Sequence, residues 1–239
     1  LQPAGQPPAR FTDQGALVHA LMLANLSTKT FWHLVIDRNR TYRGILEHRL
    51  RENLACSMTT VFHSTHLRAD GSRKRAYRFV LEHPATVDEL VVLTQEQRQD
   101  LLAEGFPADR LHVVGHWLHP FPEVAPDRIP AAPRVVYLAR YAPEKGHAGL
   151  FRAFSEVARA IPDATLETYG VGPLKASLSA WVRDAGLSDR IRINGLIRDV
   201  GEAYRGASLA VLPSHEEGFA LSGLEALAHG CPLVAFAVR

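Results

Sequence analysis

Leu212-Pro213-Ser214-His215-Glu216-Glu217-Gly218-Phe219-Ala220-Leu221-Ser222-Gly223-Leu224-Glu225-Ala226-Leu227 is the stretch on which the fold turns. It begins at the end of an apolar run, Leu209 to Leu212, crosses a loop containing Gly218, and continues with helical spacing. Strand, glycine loop and helix in that order are the repeating unit of parallel α/β sheets, and ligands bind beyond the carboxyl ends of such strands. The N–H groups of Phe219, Ala220 and Leu221, next to Gly218, are placed to face a crevice. With the helix dipole they suit a phosphate. Glu217 lies in the loop and Glu225 in the helix, with seven residues between them. One carboxylate can reach the reacting end of a ligand while the other reaches its far end. On spacing alone the same pair also reads as a helix cap and a solvated charge.

Upstream, Leu138-Ala139-Arg140-Tyr141-Ala142-Pro143-Glu144-Lys145-Gly146 follows another apolar run, Arg134 to Leu138. Arg140 and Lys145 therefore stand at a strand's carboxyl end. A guanidinium fork and a point charge there could neutralise a diphosphate, or they could be two solvated loop cations. Only four lysines occur in the chain, Lys29, Lys74, Lys145 and Lys175. Further strands are expected at Thr165–Tyr169, Ile191–Ile193 and Leu233–Phe236. Helices are expected over 146–161 and from Pro173 through Val182. The first of these should carry an apolar stripe of Leu150, Phe151, Phe154, Val157, Ala158 and Ile161. Gly230 fits a helix C-cap.

The N-terminal part repeats the alternation. Strands are expected at Thr30–Ile36, Ser57–Phe62, Glu89–Leu93 and Leu111–Val114. Helices are expected at Thr41–Glu52 and Gln95–Ala103, the latter with a capping box of Thr94 and Gln97. Between the halves, His119 to Pro133 holds five prolines, which favours an extended connector over a ladder; a long surface loop is the alternative. The expected organisation is a lobe at 1–118, a linker at 119–133 and a second lobe at 134–239.

Composition narrows the rest. The chain has 239 residues, 46% hydrophobic, with 27 Lys+Arg against 25 Asp+Glu. That balance excludes a tail binding nucleic acid by bulk charge, and the apolar content excludes disorder. No basic run is interleaved with aromatics, so nucleic acid is not an expected partner. Cys56 and Cys231 are too few for a disulfide framework and read as small buried residues in a reducing compartment. No apolar run is long enough to span a membrane. His63 and His66 lack convincing further metal ligands, and no metal is expected.

Taken as an ordered set, Arg140, Lys145, Gly146, Glu217 and Glu225 resemble the retaining glycosyltransferases of family four, whose fold is GT-B. Gly170-Val171-Gly172-Pro173, Asn194-Gly195 and Leu224 to Pro232 look like landmarks of the same family. The resemblance covers 134–239. In the first lobe, Val61-Phe62-His63-Ser64-Thr65-His66 is similar to the segment whose first histidine approaches the transferred sugar. Val91 to Gln97 is similar to the poly(glycerol-phosphate) alpha-glucosyltransferase branch, which decorates wall teichoic acid or serine-rich adhesins.

The resemblance implies two Rossmann-like lobes facing a crevice. It implies transfer of glucose or N-acetylglucosamine, with retention, from a nucleotide sugar, expected to be UDP-linked, to a cell-wall polymer or protein acceptor. Glu217 and His63 would be the catalytic pair. Arg140, Lys145 and the Gly218–Leu221 backbone would hold the diphosphate, and Glu225 the ribose. No cofactor is implied, and no Asp-x-Asp pair for a metal-bound donor occurs. The alternatives are a non-catalytic partner subunit, which would have lost the charged donor site, and a nucleotide-sugar epimerase. A cytoplasmic location, with peripheral contact at the inner membrane face, and a homo-oligomer or partner subunit are expected. The first residues lack a glycine-rich loop and the last read as a strand just formed. A fragment of a two-lobed enzyme, inactive or weakly active alone, is therefore expected.

Overall fold

A computed structural model describes residues 33–36, 57–68, 70–116, 118 and 132–238. The chain divides into two compact units, Leu1–Gly115 and His116–Arg239. The expected helix at Thr41–Glu52, residue Cys56 and most of the proline-rich connector (119–131) lie outside the described residues.

In the first unit, β1 (His33–Ile36), β2 (Ser57–Phe62), β3 (Glu89–Val92) and β4 (Leu111–Val113) form a parallel sheet in that order. Helix α1 (Arg75–Glu82) precedes β3, and α2 (Gln95–Ala103) links β3 to β4. The period of two turns Phe62, Leu90, Val92 and Leu111 inward, onto Val80, Val87, Leu101 and Phe106. The Thr94 hydroxyl accepts from the Gln97 N–H at 3.1 Å, as a capping box requires. The return arm differs: the Gln97 side-chain oxygen accepts from Leu93 N–H at 2.8 Å, one residue earlier than Thr94. Gln97 is buried and faces the strand end, so the nearer amide of β3's exit takes it.

The second unit holds β5 (Arg134–Leu138), α3 (His147–Ala160), β6 (Thr165–Tyr169), α4 (Lys175–Asp184), β7 (Ile191–Ile193), α5 (Val200–Tyr204), β8 (Leu209–Leu212), α6 (Leu221–Ala228) and β9 (Leu233–Ala235). Its five strands are parallel in the order β7-β6-β5-β8-β9. Numbered from β5 this is 3-2-1-4-5, the doubly wound order, and the topology reverses between β5 and β8. β5 is the central strand, and Val136 and Tyr137 are fully buried in it.

The stripe on α3 is narrower than its spacing suggests. Phe151 and Phe154 are buried against Leu166, Leu178, Val182 and Ile191. Val157 and Ile161 are instead exposed. Leu150 and Ala158 still pack on this cluster, whereas Val157 lies on the rim of the face and Ile161 falls beyond the helix end at Ala160. Helix α6 ends as its glycine predicts: Cys231 N–H donates to Ala226 carbonyl at 2.9 Å and Gly230 N–H to Leu227 carbonyl at 3.0 Å, the two bonds of a Schellman motif. Cys231 is buried and free. Helix α5 lacks a clear apolar period and shows in sequence only as Asp199, whose carboxylate caps it by accepting from Gly201 N–H.

Candidate functional site at the topological switch point

The two strands flanking the reversal, β5 and β8, carry the two charged motifs at their carboxyl ends. After β5 the chain makes a 3-10 turn, Pro143–Lys145, and enters α3 through Gly146 in the left-handed region (φ +69°). A Cβ on Gly146 would lie 2.0 Å from the Pro213 carbonyl oxygen, so only glycine lets the two loops approach this closely. The His215 N–H donates to the Glu144 carbonyl at 2.8 Å, a second tie between the loops. A third tie passes through buried Tyr137. Its hydroxyl donates to the Lys145 carbonyl at 2.7 Å and lies 3.1 Å from Ser214 Oγ.

The loops bring Lys145 and Glu217 together: Nζ and Oε1 are 2.7 Å apart, with side chains 21% and 18% exposed. The pair is largely withdrawn from water. Removing one partner would leave an uncompensated charge, a loss on the order of 3 kcal/mol. Arg140 lies beside them in sequence but is 64% exposed, and Nη2 donates to Glu144 Oε1 at 2.5 Å. A pair that open to solvent contributes about 0–1 kcal/mol and is readily exchanged for another anion. Burial pushes the Glu144 carboxyl up, but a backbone hydrogen bond, Arg140 and Lys145 outweigh it and hold the group below its ordinary value.

Helix α6 begins beside this pair. Its N-cap, Ala220, is in the left-handed region (φ 51°, ψ 64°), offers no side-chain cap, and no acidic residue occupies the first turn. The first-turn amides thus keep a positive end without an internal carboxylate. A non-glycine residue in this conformation costs about 1–2 kcal/mol. His116 packs edge-on to Phe219 at 5.5 Å between ring centroids, bracing the residue before the strained one. Glu225 lies one turn and a half-turn deeper on α6. Burial raises its carboxyl pKa and His229 partly offsets this.

On the other side of β5, Gly172 follows β6 so closely that a Cβ would lie 2.4 Å from the Tyr141 carbonyl. Tyr141 donates its hydroxyl to the Asn194 carbonyl at 2.9 Å, tying the β7 exit to the same edge. Between Tyr137 and Tyr141, at centroid distances of 4.7 and 4.9 Å, lies fully buried His147. Burial, and then Lys145, push its pKa down to about 4, so the ring is neutral.

Arg140, Lys145, Gly218–Leu221, Glu217 and Glu225 thus share the carboxyl edge of one sheet in the second unit. His63 belongs to the first unit, directly after β2, with its side chain exposed. His66, three residues on, is fully buried, and its Nε2 is 2.9 Å from Glu104 Oε1. Tyr137, Glu144 and Ser214 have no mark in the sequence, because their contacts arise only where two distant loops meet. Helix length offers no span: no helix among the described residues is long and apolar enough to cross a membrane.

Residues 132–239 match the family model "Glycosyl transferases group 1". The chain is 27% identical over 164 residues to a poly(glycerol-phosphate) alpha-glucosyltransferase of Bacillus subtilis, covering 68% of this chain and 24% of that protein. It is 27% identical over 224 residues to the GtfA subunit of a UDP-N-acetylglucosamine–peptide N-acetylglucosaminyltransferase of Streptococcus gordonii, covering 86% and 42%. The chain therefore spans less than half the length of these relatives. Among solved structures, pneumococcal O-GlcNAc transferase GtfA, in complex with UDP and GlcNAc, superposes with a TM-score of 0.79 at 21% identity, over 96% of this chain and 46% of that one. Staphylococcus aureus TarM superposes with a TM-score of 0.71 at 22% identity, over 77% and 38%. The fold is that of the GT-B glycosyltransferases, and residues 132–239 form a glycosyl transferases group 1 domain.

Proposed function

We propose that this chain is part of a retaining glycosyltransferase that moves glucose or N-acetylglucosamine from a UDP-sugar to a cell-wall polymer or protein acceptor. The observation that carries the reading is the meeting of Arg140, Lys145, Glu217 and the uncapped start of α6 at the one reversal of a 3-2-1-4-5 sheet. Two cations and a helix N-terminus there suit a diphosphate, and a carboxylate beside them suits the sugar it carries. The names of the relatives above, which act on poly(glycerol-phosphate) and on peptide, support the acceptor class.

In this reading the bond between the anomeric carbon and the phosphate oxygen breaks, and its electron pair leaves with the diphosphate. Arg140, Lys145 and the amides of Gly218–Leu221 stabilise the departing charge. Glu217 contacts the sugar and stabilises its cationic character, His63 positions a sugar hydroxyl, and Glu225 holds the ribose hydroxyls. The acceptor oxygen attacks on the face the phosphate leaves, and its proton passes to the phosphate oxygen, so no protein nucleophile and no metal are required. The 1–118 lobe serves the acceptor, the 119–133 segment joins it to the donor lobe, and the reaction belongs in the cytoplasm or at the inner membrane face.

A non-catalytic partner subunit is the second reading, and the GtfA/B complex among the structural neighbours (TM-score 0.71) is what favours it. The retained Arg140, Lys145, Glu217 and Glu225 favour an enzyme. Donor hydrolysis by the full-length gene product, across UDP-glucose and UDP-N-acetylglucosamine, separates the two. Glu217→Gln should lower turnover about 10²-fold or more. Turnover equal to wild type would remove Glu217 from the mechanism, and no turnover of any UDP-sugar by wild type would favour the partner subunit.

A further inference from the structure

We propose that Tyr137 is a positioning residue for the donor site, its hydroxyl acting as a clasp that sets Lys145 against Glu217. The proposal rests on the reading of Arg140, Lys145 and Glu217 as that site. Tyr137 is buried on the central strand, beneath the reversal. A tyrosine hydroxyl carries one proton, and burial, with Glu217 and Glu144 nearby, keeps it on. The Lys145 carbonyl at 2.7 Å can only accept, so it takes that proton. Ser214 Oγ at 3.1 Å must then be the donor toward Tyr137 Oη. The result is a directed chain, from Ser214 hydroxyl to Tyr137 hydroxyl to Lys145 carbonyl. It begins three residues before Glu217 and ends on the backbone of Lys145 itself.

Two further contacts between these loops fix backbone against backbone: Gly146 on Pro213, and His215 N–H on the Glu144 carbonyl. Tyr137 joins both loops to the sheet below them through one hydroxyl. Its ring is held by neutral His147 at 4.7 Å, so removing the hydroxyl leaves the aromatic packing in place. Without the clasp a part-buried carbonyl and a buried serine lose their partner, and the 2.7 Å spacing of Lys145 and Glu217 loses its reference to β5.

The test measures UDP affinity by calorimetry on the full-length protein, well below its melting temperature. Tyr137→Phe should lower UDP affinity about tenfold, and Ser214→Ala should do much the same. Because the two act through one chain, the double variant should lose little more than the weaker single. Tyr169→Phe removes a hydroxyl bond of 2.9 Å to Glu167 in the same sheet but outside both loops, and should leave UDP affinity within about twofold. Equal affinity in Tyr137→Phe and wild type, or an equal loss in Tyr169→Phe, would overturn the clasp. If wild type binds no UDP, the donor reading fails instead. Amide exchange then decides: Tyr137→Phe must speed exchange across 139–146 and 214–221 relative to Tyr169→Phe, and unchanged exchange there would overturn the clasp on its own.

Discussion

Lys145 and Glu217 are separated by 72 positions in sequence and by 2.7 Å in space. Each had a reading from its own motif, a phosphate ligand and a sugar ligand, and neither motif says that the two side chains pair. The pairing depends on Gly146, which allows the close approach of the loops. Gly146→Ala would have to place a left-handed alanine with its methyl 2.0 Å from the Pro213 oxygen. A loss of about 2–4 kcal/mol is expected, measured as a lowered denaturation midpoint, and a midpoint equal to wild type would refute the close packing. Glu225 allows a test by pH. Its folded pKa lies above the ordinary 4.5, so burial penalises the charged form only. The penalty is absent below 4.5 and grows as pH rises through the raised value. Glu225→Gln should therefore gain stability over wild type at pH 7 and lose that advantage at pH 4, read by thermal melts at both values. The placement of Arg140, Lys145, Glu217 and Glu225 along one sheet edge is legible because charge after a strand or on the helix that follows it is visible in one dimension. That of Glu144, Tyr137 and Ser214 is not, since their roles are contacts between loops.

At the scale of elements, the strands of the second unit are readable almost to the residue, because β5 and β8 are largely apolar, β6 and β7 are short and rich in strand-forming residues, and turn residues bound them all. The helices are less so. The stripe on α3 spans Leu150 to Ile161 in sequence, while the packed face keeps Ala158 and leaves Val157 and Ile161 exposed, because period alone does not record how wide a face the sheet covers. Short α5 carries too few turns for any period to register. Helix α3 also bears a prediction of its own. His147 at its first turn has an ordinary pKa of 6.5 and a folded value of about 4. A depressed histidine binds its proton more readily when unfolded, so the stability it confers is full above 6.5 and is lost as pH falls toward about 4. His147→Leu should flatten the fall of the melting temperature between pH 6.5 and 4. An unchanged acid slope would mean that the ring is not held neutral.

For the whole molecule, two parallel sheets explain why the two halves of the sequence read alike, each as strands alternating with helices. The order within the second sheet was not in the sequence, because pairing across β5 and β8 joins segments about 70 residues apart. That order is what converts two separate motifs into one site, since it alone makes β5 and β8 neighbours at the reversal. The expected division at 119–133 and the observed boundary between Gly115 and His116 both leave Arg140, Lys145, Glu217 and Glu225 in one unit. The domain should therefore hold a nucleotide diphosphate by its own residues. Calorimetric titration of UDP into the full-length protein, wild type against Arg140→Ala plus Lys145→Ala, tests this most directly. The account predicts saturable binding by wild type and a loss of affinity of about 10²-fold or more in the double variant. UDP binding of equal strength in both proteins would contradict it.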